Sequence, residues 1–198
     1  MILGSRVTFG VLNLASNAVV IQVFGLVELG VVLLLQAYTR LFSEIVKFQS
    51  WQAVLRFGAT AQERGDHVGL CRLVGFTLAL DLVSFAIAIA AAVVLVPWAA
   101  DWFEWPDNVS SFAPFFVLSL IFITHATPNG VMRLFDRVDT LAIQYSLNSL
   151  VRFVGVCAVT VLGGDVIHVV LAWFAGSVLS GTYLFVVTAR EMGRQRLV

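Results

Sequence analysis

The chain has 198 residues, of which 60% are hydrophobic and 12% are charged. Soluble domains are about 45–50% apolar and about 25% charged, so this composition argues against a soluble globular domain and indicates a protein solvated by lipid. The 12 basic and 12 acidic residues balance each other. Net charge therefore favours neither nucleic acid nor an anionic surface as a partner.

Apolar stretches of membrane-spanning length follow one another along the chain. Counting roughly 20 apolar residues per span and ending spans at Gly, Pro and charge clusters, we predict about six transmembrane helices in one bundle. Their limits are 6–24, 30–57, 68–97, 112–133, 141–162 and 166–189. The first stretch lacks a clear small-residue cleavage site and is interpreted as a span, not as a removed signal peptide. The predicted fold class is an all-α polytopic integral membrane protein.

Charges between the spans sort by sign. The connections after the first, third and fifth spans hold acidic residues and neither Lys nor Arg, whereas Arg residues flank the other ends of the spans. Because basic residues are retained on the cytoplasmic side, we predict that both termini are cytoplasmic and that the number of spans is even. Trp98, Trp102 and Trp105 lie among acidic residues after the third span and are interpreted as an aromatic belt at the membrane interface or, less favourably, as a platform that stacks on carbohydrate.

Polar residues recur at helical spacing inside the apolar spans, which places them on stripes along helix faces. The second span carries Gln36, Arg40, Glu44 and Lys47, and a second row there holds Gln49, Gln52 and Arg56. The fifth span carries Gln144, Asn148 and Arg152, and the first carries Arg6, Gly10, Asn13 and Asn17. These stripes predict a bundle with a polar interior.

Depth in the membrane makes the ionisable residues informative. At 1.5 Å per residue, Asp81 and Arg152 lie about 15–20 Å from the cytoplasmic ends of their spans, near the bilayer middle. Arg40, Glu44 and His125 reach comparable depth from the other side. An ionised group there costs at least about 2.5–3.5 kcal/mol, so we expect these side chains to face the bundle interior or a watery cavity.

Two interpretations of these residues stay open. In the first, Arg40 pairs with Glu44, Asp81 pairs with Arg152 or Arg72, and the stripes hold helices together. In the second, Arg40, Lys47 and Arg152 attract an anionic group such as phosphate or pyrophosphate, while Gln and Asn side chains bind a polar cargo.

Four further features concern packing and hinges. Pro128 is expected to kink the fourth span near its middle, where a hinge or a plain packing kink would result. His125 beside it is interpreted as a hydrogen-bonded core residue or, less favourably, as a proton relay. Gly176 and Ser180 form a small-xxx-small pair that predicts a helix contact or an oligomer seam. Cys71 and Cys157 are interpreted as core residues.

Three segments resemble a known family. They are FQSWQAVLRFGA at residues 48–59, PNGVMRLFDRVD at 128–139 and LLLQAYTRL at 33–41. They are similar to the N-terminal half of bacterial lipopolysaccharide or polysaccharide biosynthesis proteins of the oligosaccharide flippase family. That family belongs to the superfamily of multidrug extruders and lipid II flippases.

The resemblance implies translocation of an undecaprenyl-pyrophosphate-linked oligosaccharide to the periplasmic leaflet of the inner membrane, by alternating access between two bundles. Charge and depth then assign Arg40, Lys47, Arg56 and Arg152 to the pyrophosphate, and Gln49, Trp51, Gln52, Asn148 to the sugar. Glu44 belongs to the same cargo site, and Asn13, Asn17, Asp81, His125 and Pro128 are candidate cavity or gating residues. Because family members have about twelve spans, the chain is expected to be half of a transporter, a truncated one, or a subunit of a homodimer.

Other functions remain as alternatives. A drug exporter of the same superfamily would bind cationic cargo at Asp81 and Glu44. A non-transporting scaffold for envelope polysaccharide synthesis would instead capture partners without needing Arg40 or Arg152. The sequence lacks HExxH, GxSxG and Gly-rich phosphate-loop motifs, so we expect neither an enzyme nor a bound cofactor or metal.

Overall fold

The computed structural model describes residues 2–46, 49–105, 107–123 and 126–194, with side chains described over 10–45, 49–105, 112–122 and 126–194. Within these ranges every regular element is an α-helix. In chain order the helices are α1 (Ile2–Phe24), α2 (Leu26–Val46), α3 (Ser50–Glu63), α4 (His67–Trp102), α5 (Asp107–Val117), α6 (Leu120–Ile123), α7 (Ala126–Leu134), α8 (Val138–Val161) and α9 (Val166–Arg194).

Five segments of the described chain are long and apolar enough to cross a membrane. They are Leu26–Ile45, His67–Trp102, Phe112–Leu134, Val138–Val161 and Val166–Arg194. They match the second to sixth predicted spans, and the first predicted span corresponds to α1, whose apolar segment Gly10–Phe24 is shorter. The chain is therefore an all-α polytopic membrane protein, as its composition predicts.

The second predicted span is not one continuous helix. α2 ends at Val46 and α3 begins at Ser50, with Gln49 outside the helix at φ −76° and ψ 50°. The new helix begins where the Ser50 hydroxyl meets the carboxylate of Asp81, and a negative charge stabilises a helix N-terminus. The prediction of a helix through residues 30–57 is thus wrong, because a contact with a distant helix favours a new start.

The fourth predicted span is interrupted within the described chain at Leu118 and Ser119, between α5 and α6. The described part of α7 covers Ala126–Leu134, and the Thr127 N–H there donates to Asp81. Residues 124 and 125, and with them His125, lie outside the described residues, so the kink at Pro128 stays a prediction.

The third predicted span ends too early. α4 continues past Pro97 to Trp102 and contains 36 residues, which corresponds to about 54 Å of helix. The α2 and α3 segments together run antiparallel to it, since the turn at Arg64 and Gly65 leads directly from α3 into α4. Gly65 has a φ of +66°, a conformation that favours glycine.

Two separate hydrophobic cores fill the bundle. The large core contains residues of α1, α2, α4, α5, α6, α8 and α9, among them Val20, Leu35, Ala92, Val117, Val156 and Trp173. The small core contains Val54, Leu70, Val74, Val131, Met132, Leu141 and Leu184 from α3, α4, α7, α8 and α9. Only α4, α8 and α9 contribute buried residues to both cores in the described chain.

Buried polar residues separate the two cores on each of these three helices. They are Thr77, Asp81 and Ser84 on α4, Gln144, Ser149 and Arg152 on α8, and Ser177 and Ser180 on α9. Ser50 at the start of α3 and Thr127 at the start of α7 are buried at the same level, since both contact Asp81. We call these ten residues the polar layer. Of the residues on the predicted stripes, Gln144 and Arg152 belong to this layer, whereas Arg40, Glu44, Gln49, Gln52 and Arg56 are exposed.

α3 and α7 pack against each other with almost no space at Gly130. A Cβ atom added to Gly130 would lie 2.9 Å from both the Trp51 Cα and the Val54 Cβ. The first of these atoms belongs to the backbone of α3, so a side chain at this position would have to separate the two helices.

We therefore expect Gly130→Ala to destabilise the protein by about 1–3 kcal/mol, the usual effect of overpacking a core. Gly75→Ala is the matched control. Gly75 lies within α4 with nothing within 4 Å of an added Cβ, and alanine at an open helical site gains about 0.5–1 kcal/mol. Thermal unfolding midpoints in detergent should thus shift in opposite directions. Equal shifts would contradict the close contact of α3 and α7.

Candidate functional site

Asp81 binds the N-terminal turns of two interrupted spans. Its side chain is 4% exposed. Its Oδ1 accepts a hydrogen bond from the Ser50 hydroxyl at 2.6 Å. Its Oδ2 accepts from the Thr127 backbone N–H at 2.9 Å and from the Thr127 hydroxyl at 2.7 Å. The carboxylate therefore lies between two positive helix ends, which offset its charge inside the membrane.

This arrangement differs from the ion pair suggested by the sequence. Asp81 is bound by hydroxyl and amide donors, and in the described part of the chain neither Arg152 nor Arg72 forms an ion pair with it. The pairing of Asp81 with either arginine is thus wrong. Arg72 is exposed on α4, and Arg152 has a different contact on α9.

Arg152 is a buried cation stacked on an indole ring. It lies on α8, is 9% exposed, and places its guanidinium carbon 3.7 Å from the centre of the Trp173 ring. Its Nε atom is buried and has no hydrogen-bond acceptor in the described chain. A cation over an indole face is attracted by roughly 2 kcal/mol when desolvated, but this contact does not neutralise the charge.

Gly176 makes room for the arginine. A Cβ at this position would lie 2.9 Å from the Arg152 Cγ and 3.2 Å from the Asn148 carbonyl oxygen. One turn further along α9, Ser180 accepts a hydrogen bond from the Asn148 amide at 3.0 Å. The small-residue pair Gly176 and Ser180 therefore forms the contact with α8, which confirms the predicted helix contact.

Arg40 is exposed on α2, a helix that is long and apolar enough to span the membrane. In the described residues neither Arg40 nor Arg152 forms an ion pair with a carboxylate.

The remaining predicted cargo residues are not gathered around Arg152. Glu44 is exposed near the end of α2, and Gln49, Gln52 and Arg56 are exposed beside or on α3. The two rows predicted for one helix thus lie on two helices. Lys47 lies outside the described residues.

Other predicted residues occupy intermediate positions. Asn13 and Asn17 are half-buried on α1, a helix that packs against α8. The exposed Arg133 places its guanidinium 5.1 Å from the centre of the Trp51 ring. The proposed contact of Trp51 with sugar stays a prediction. Cys71 and Cys157 are half-buried and are not joined in a disulfide.

The tryptophans after the third span do not behave alike. Trp98 and Trp102 are exposed, the latter by 86%, as expected for an interface belt. Trp105 is 6% exposed and packs edge-on against Tyr38 with ring centres 5.5 Å apart. The interface assignment is therefore wrong for Trp105, because Tyr38 of α2 offers it an aromatic partner. Tyr38 in turn donates a hydrogen bond to the Ala92 carbonyl oxygen at 2.5 Å.

The sequence pattern gives no role to three residues of the site. Ser50 and Thr127 bind the Asp81 carboxylate, and Trp173 stacks on Arg152. Gly176, expected to form a helix contact, also lies against the Arg152 side chain. Ser50 and Thr127 are the first residue of α3 and the second of α7, but no local pattern indicates that their hydroxyls meet a carboxylate of α4. No signal in a single sequence pairs Trp173 with Arg152, because the pairing depends on the register of α8 against α9.

Replacing Trp173 tests the stacking directly. Trp173→Leu removes the ring, so we expect a more mobile Arg152 and, for an anion that binds at Arg152, an affinity lowered by up to about thirtyfold, the equivalent of about 2 kcal/mol of lost cation–π contact. Trp173→Phe keeps a ring and should lose less. Binding of inorganic pyrophosphate measured by calorimetry on the detergent-solubilised protein checks this order. Equal affinities of the two variants would show that the ring does not position the guanidinium.

The fold and these buried groups define a multi-pass membrane protein with a polar layer in its interior. The chain is similar to the inner membrane protein YghQ of Escherichia coli (strain K12), with 27% identity over 168 residues. The match covers 85% of this chain and 47% of YghQ, so the chain spans about half the length of this relative. No protein-family model matches the chain, and no solved structure matches it.

Proposed function

We propose that the chain is a flippase half, or a truncated flippase, that moves an undecaprenyl-pyrophosphate-linked oligosaccharide across the inner membrane with both termini in the cytoplasm. The observation that carries this proposal is Arg152. A guanidinium buried within a membrane span, with no ion pair among the described residues, is costly until an anion binds. A pyrophosphate group offers oxygen acceptors in the geometry that guanidinium donors prefer.

Asp81 supports anionic over cationic cargo. A drug exporter of the same superfamily would need a carboxylate to receive its cation. The oxygens of Asp81 are already bound by three donors at two helix starts, and this positive surrounding disfavours a second cation. Arg152 is thus the better anchor for a cargo headgroup.

The exposed charges on α2 support an arrangement in which a second bundle or a second copy packs against this chain. Arg40 and Glu44 are exposed on the span Leu26–Ile45, where contact with lipid chains would be costly. A second bundle, a second copy of this chain or a watery passage between two halves would cover them. The match to about half of YghQ fits a partner of similar size.

Transfer between leaflets tests the proposal. Proteoliposomes containing this chain alone are loaded with a fluorescent undecaprenyl-pyrophosphate oligosaccharide, and a membrane-impermeant quencher reports its transfer. We expect transfer that falls at least tenfold in Arg152→Leu, together with a crosslinked mass of two copies. No transfer by a folded and inserted protein would reject autonomous activity. Drug efflux unaffected by Arg152→Leu would favour the exporter, and intact partner capture without transfer would favour the scaffold.

A further inference from the structure

The N-terminal turns of α3 and α7, as far as they are described, contact the same carboxylate. Asp81 of the continuous helix α4 binds Ser50 of α3 through one oxygen and Thr127 of α7 through the other. The first turn of each helix has N–H groups without intrahelical acceptors. The orientation of both helices therefore depends on one side chain that neither of them contains.

α3 and α7 pack closely against each other over the turns that follow their contacts with Asp81. Gly130 lies against the backbone of Trp51, and an added Cβ at Gly58 would lie 2.8 Å from the Leu134 side chain. The Arg133 guanidinium lies over the Trp51 ring. Contacts of this kind along both helices favour movement of the pair as one body.

The polar layer is where such a movement costs least. α4, α8 and α9 continue through it, so bending them would break intrahelical hydrogen bonds. α3 begins at the layer, after Gln49, which lies outside the helix, and the first described turn of α7 donates its Thr127 N–H to Asp81 at the same layer. The small core to which they contribute is separate from the large core.

We propose that Asp81 is the pivot of a movable α3–α7 pair, and that its carboxylate couples the two helix starts so that loosening one loosens the other. Asp81 is a positioning residue in this account and contacts no cargo. The pivot does not depend on which cargo the protein moves. A coupling pivot differs from a simple stabilising contact in one respect: a mutation in α3 loosens α7, and a mutation in α7 loosens α3.

Hydrogen exchange in proteoliposomes of the full chain tests the coupling. Ser50→Ala removes a donor of α3 only, yet we expect amide exchange of residues 129–134 in α7 to rise by about three- to tenfold, the effect of one lost hydrogen bond. Thr127→Val should raise exchange of residues 52–58 in α3 likewise. Ser84→Ala is the matched control, because the buried Ser84 hydroxyl donates only to the Leu80 carbonyl of its own helix.

The outcomes separate the pivot from its alternatives. An effect confined to the mutated helix would overturn the coupling, and an equal rise in α8 and α9 would show general destabilisation instead. The double variant adds a second criterion. If Ser50→Ala and Thr127→Val act through one carboxylate, their effects are not additive, whereas additive effects would contradict a shared pivot.

Distances between spin labels test the effect of replacing Asp81 itself. Spin labels at the exposed residues Thr60 and Phe76 report α3 against α4, and labels at Leu34 and Val94 report the large core. In Asp81→Asn we expect a broader distance distribution for the first pair and an unchanged one for the second. Broadening of both pairs, or of neither, would contradict a pivot at the polar layer.

Discussion

Replacing Arg152 by leucine is expected to weaken binding of the pyrophosphate headgroup by at least tenfold while leaving the protein folded. Hydrogen bonds to a charged group contribute about 1.5–3 kcal/mol each, so the dissociation constant should rise by at least tenfold. The guanidinium is buried without an ion pair among the described residues. Its removal therefore abolishes a desolvation cost, and the free energy of unfolding should stay the same or increase.

Lysine at this position provides the intermediate case. Arg152→Lys keeps the positive charge but loses the planar fork that stacks on Trp173 and binds two oxygens at once. Binding of a pyrophosphate-linked lipid in nanodiscs should follow the order wild type, Arg152→Lys, Arg152→Leu. Arg190→Leu is the control, since Arg190 is exposed on the same bundle at the end of α9. A Leu variant at 152 that binds like wild type would refute the anion site.

Replacing Asp81 by alanine should have the largest effect on stability. The Ser50 hydroxyl and both Thr127 donors would be left buried without an acceptor, and two helix starts would lose the negative charge that faces them. Breaking a buried charged network of this kind costs about 3–5 kcal/mol. At about 2–4 °C per kcal/mol for a chain of this size, the unfolding midpoint should fall by about 6–20 °C.

Asp101→Ala is the control that shows whether the loss of stability is specific to Asp81 or follows the removal of any acidic residue. Asp101 is exposed near the end of the same helix, α4, and exposed substitutions usually change stability by no more than about 0.5 kcal/mol. Unfolding midpoints followed by tryptophan fluorescence in one detergent allow the comparison. Similar midpoints for Asp81→Ala and Asp101→Ala would mean that the carboxylate at 81 is not what holds α3 and α7.

Composition and periodicity predict the parts of this fold that depend on neighbouring residues. The apolar runs identify the spans, and the depth of Asp81 and Arg152 in them marks both as interior residues, which their burial confirms. The spacing of Gly176 and Ser180 predicts the contact with α8. In each case the physical cause lies within one helix, so a single sequence contains it.

The interruptions depend on residues that are far apart in the chain. Ser50 and Asp81 are 31 positions apart, and Thr127 and Asp81 are 46 positions apart. The apolar pattern continues through the end of α2, so nothing local indicates a helix end there. The stacking of Trp173 on Arg152 is likewise a matter of helix register. Long-range contacts therefore decide where helices begin again, and local pattern does not.

A comparison of two cargoes that differ only in charge tests the anion site most directly. Proteoliposomes of the wild-type chain are given equal amounts of an undecaprenyl-pyrophosphate oligosaccharide and of an uncharged polyprenyl glycoside with the same sugar, and transfer of each between leaflets is measured. The account predicts transfer of the pyrophosphate-linked lipid at least tenfold faster, with the difference lost in Arg152→Leu. Equal transfer of both lipids by the wild-type protein, or a preference that survives Arg152→Leu, would contradict it.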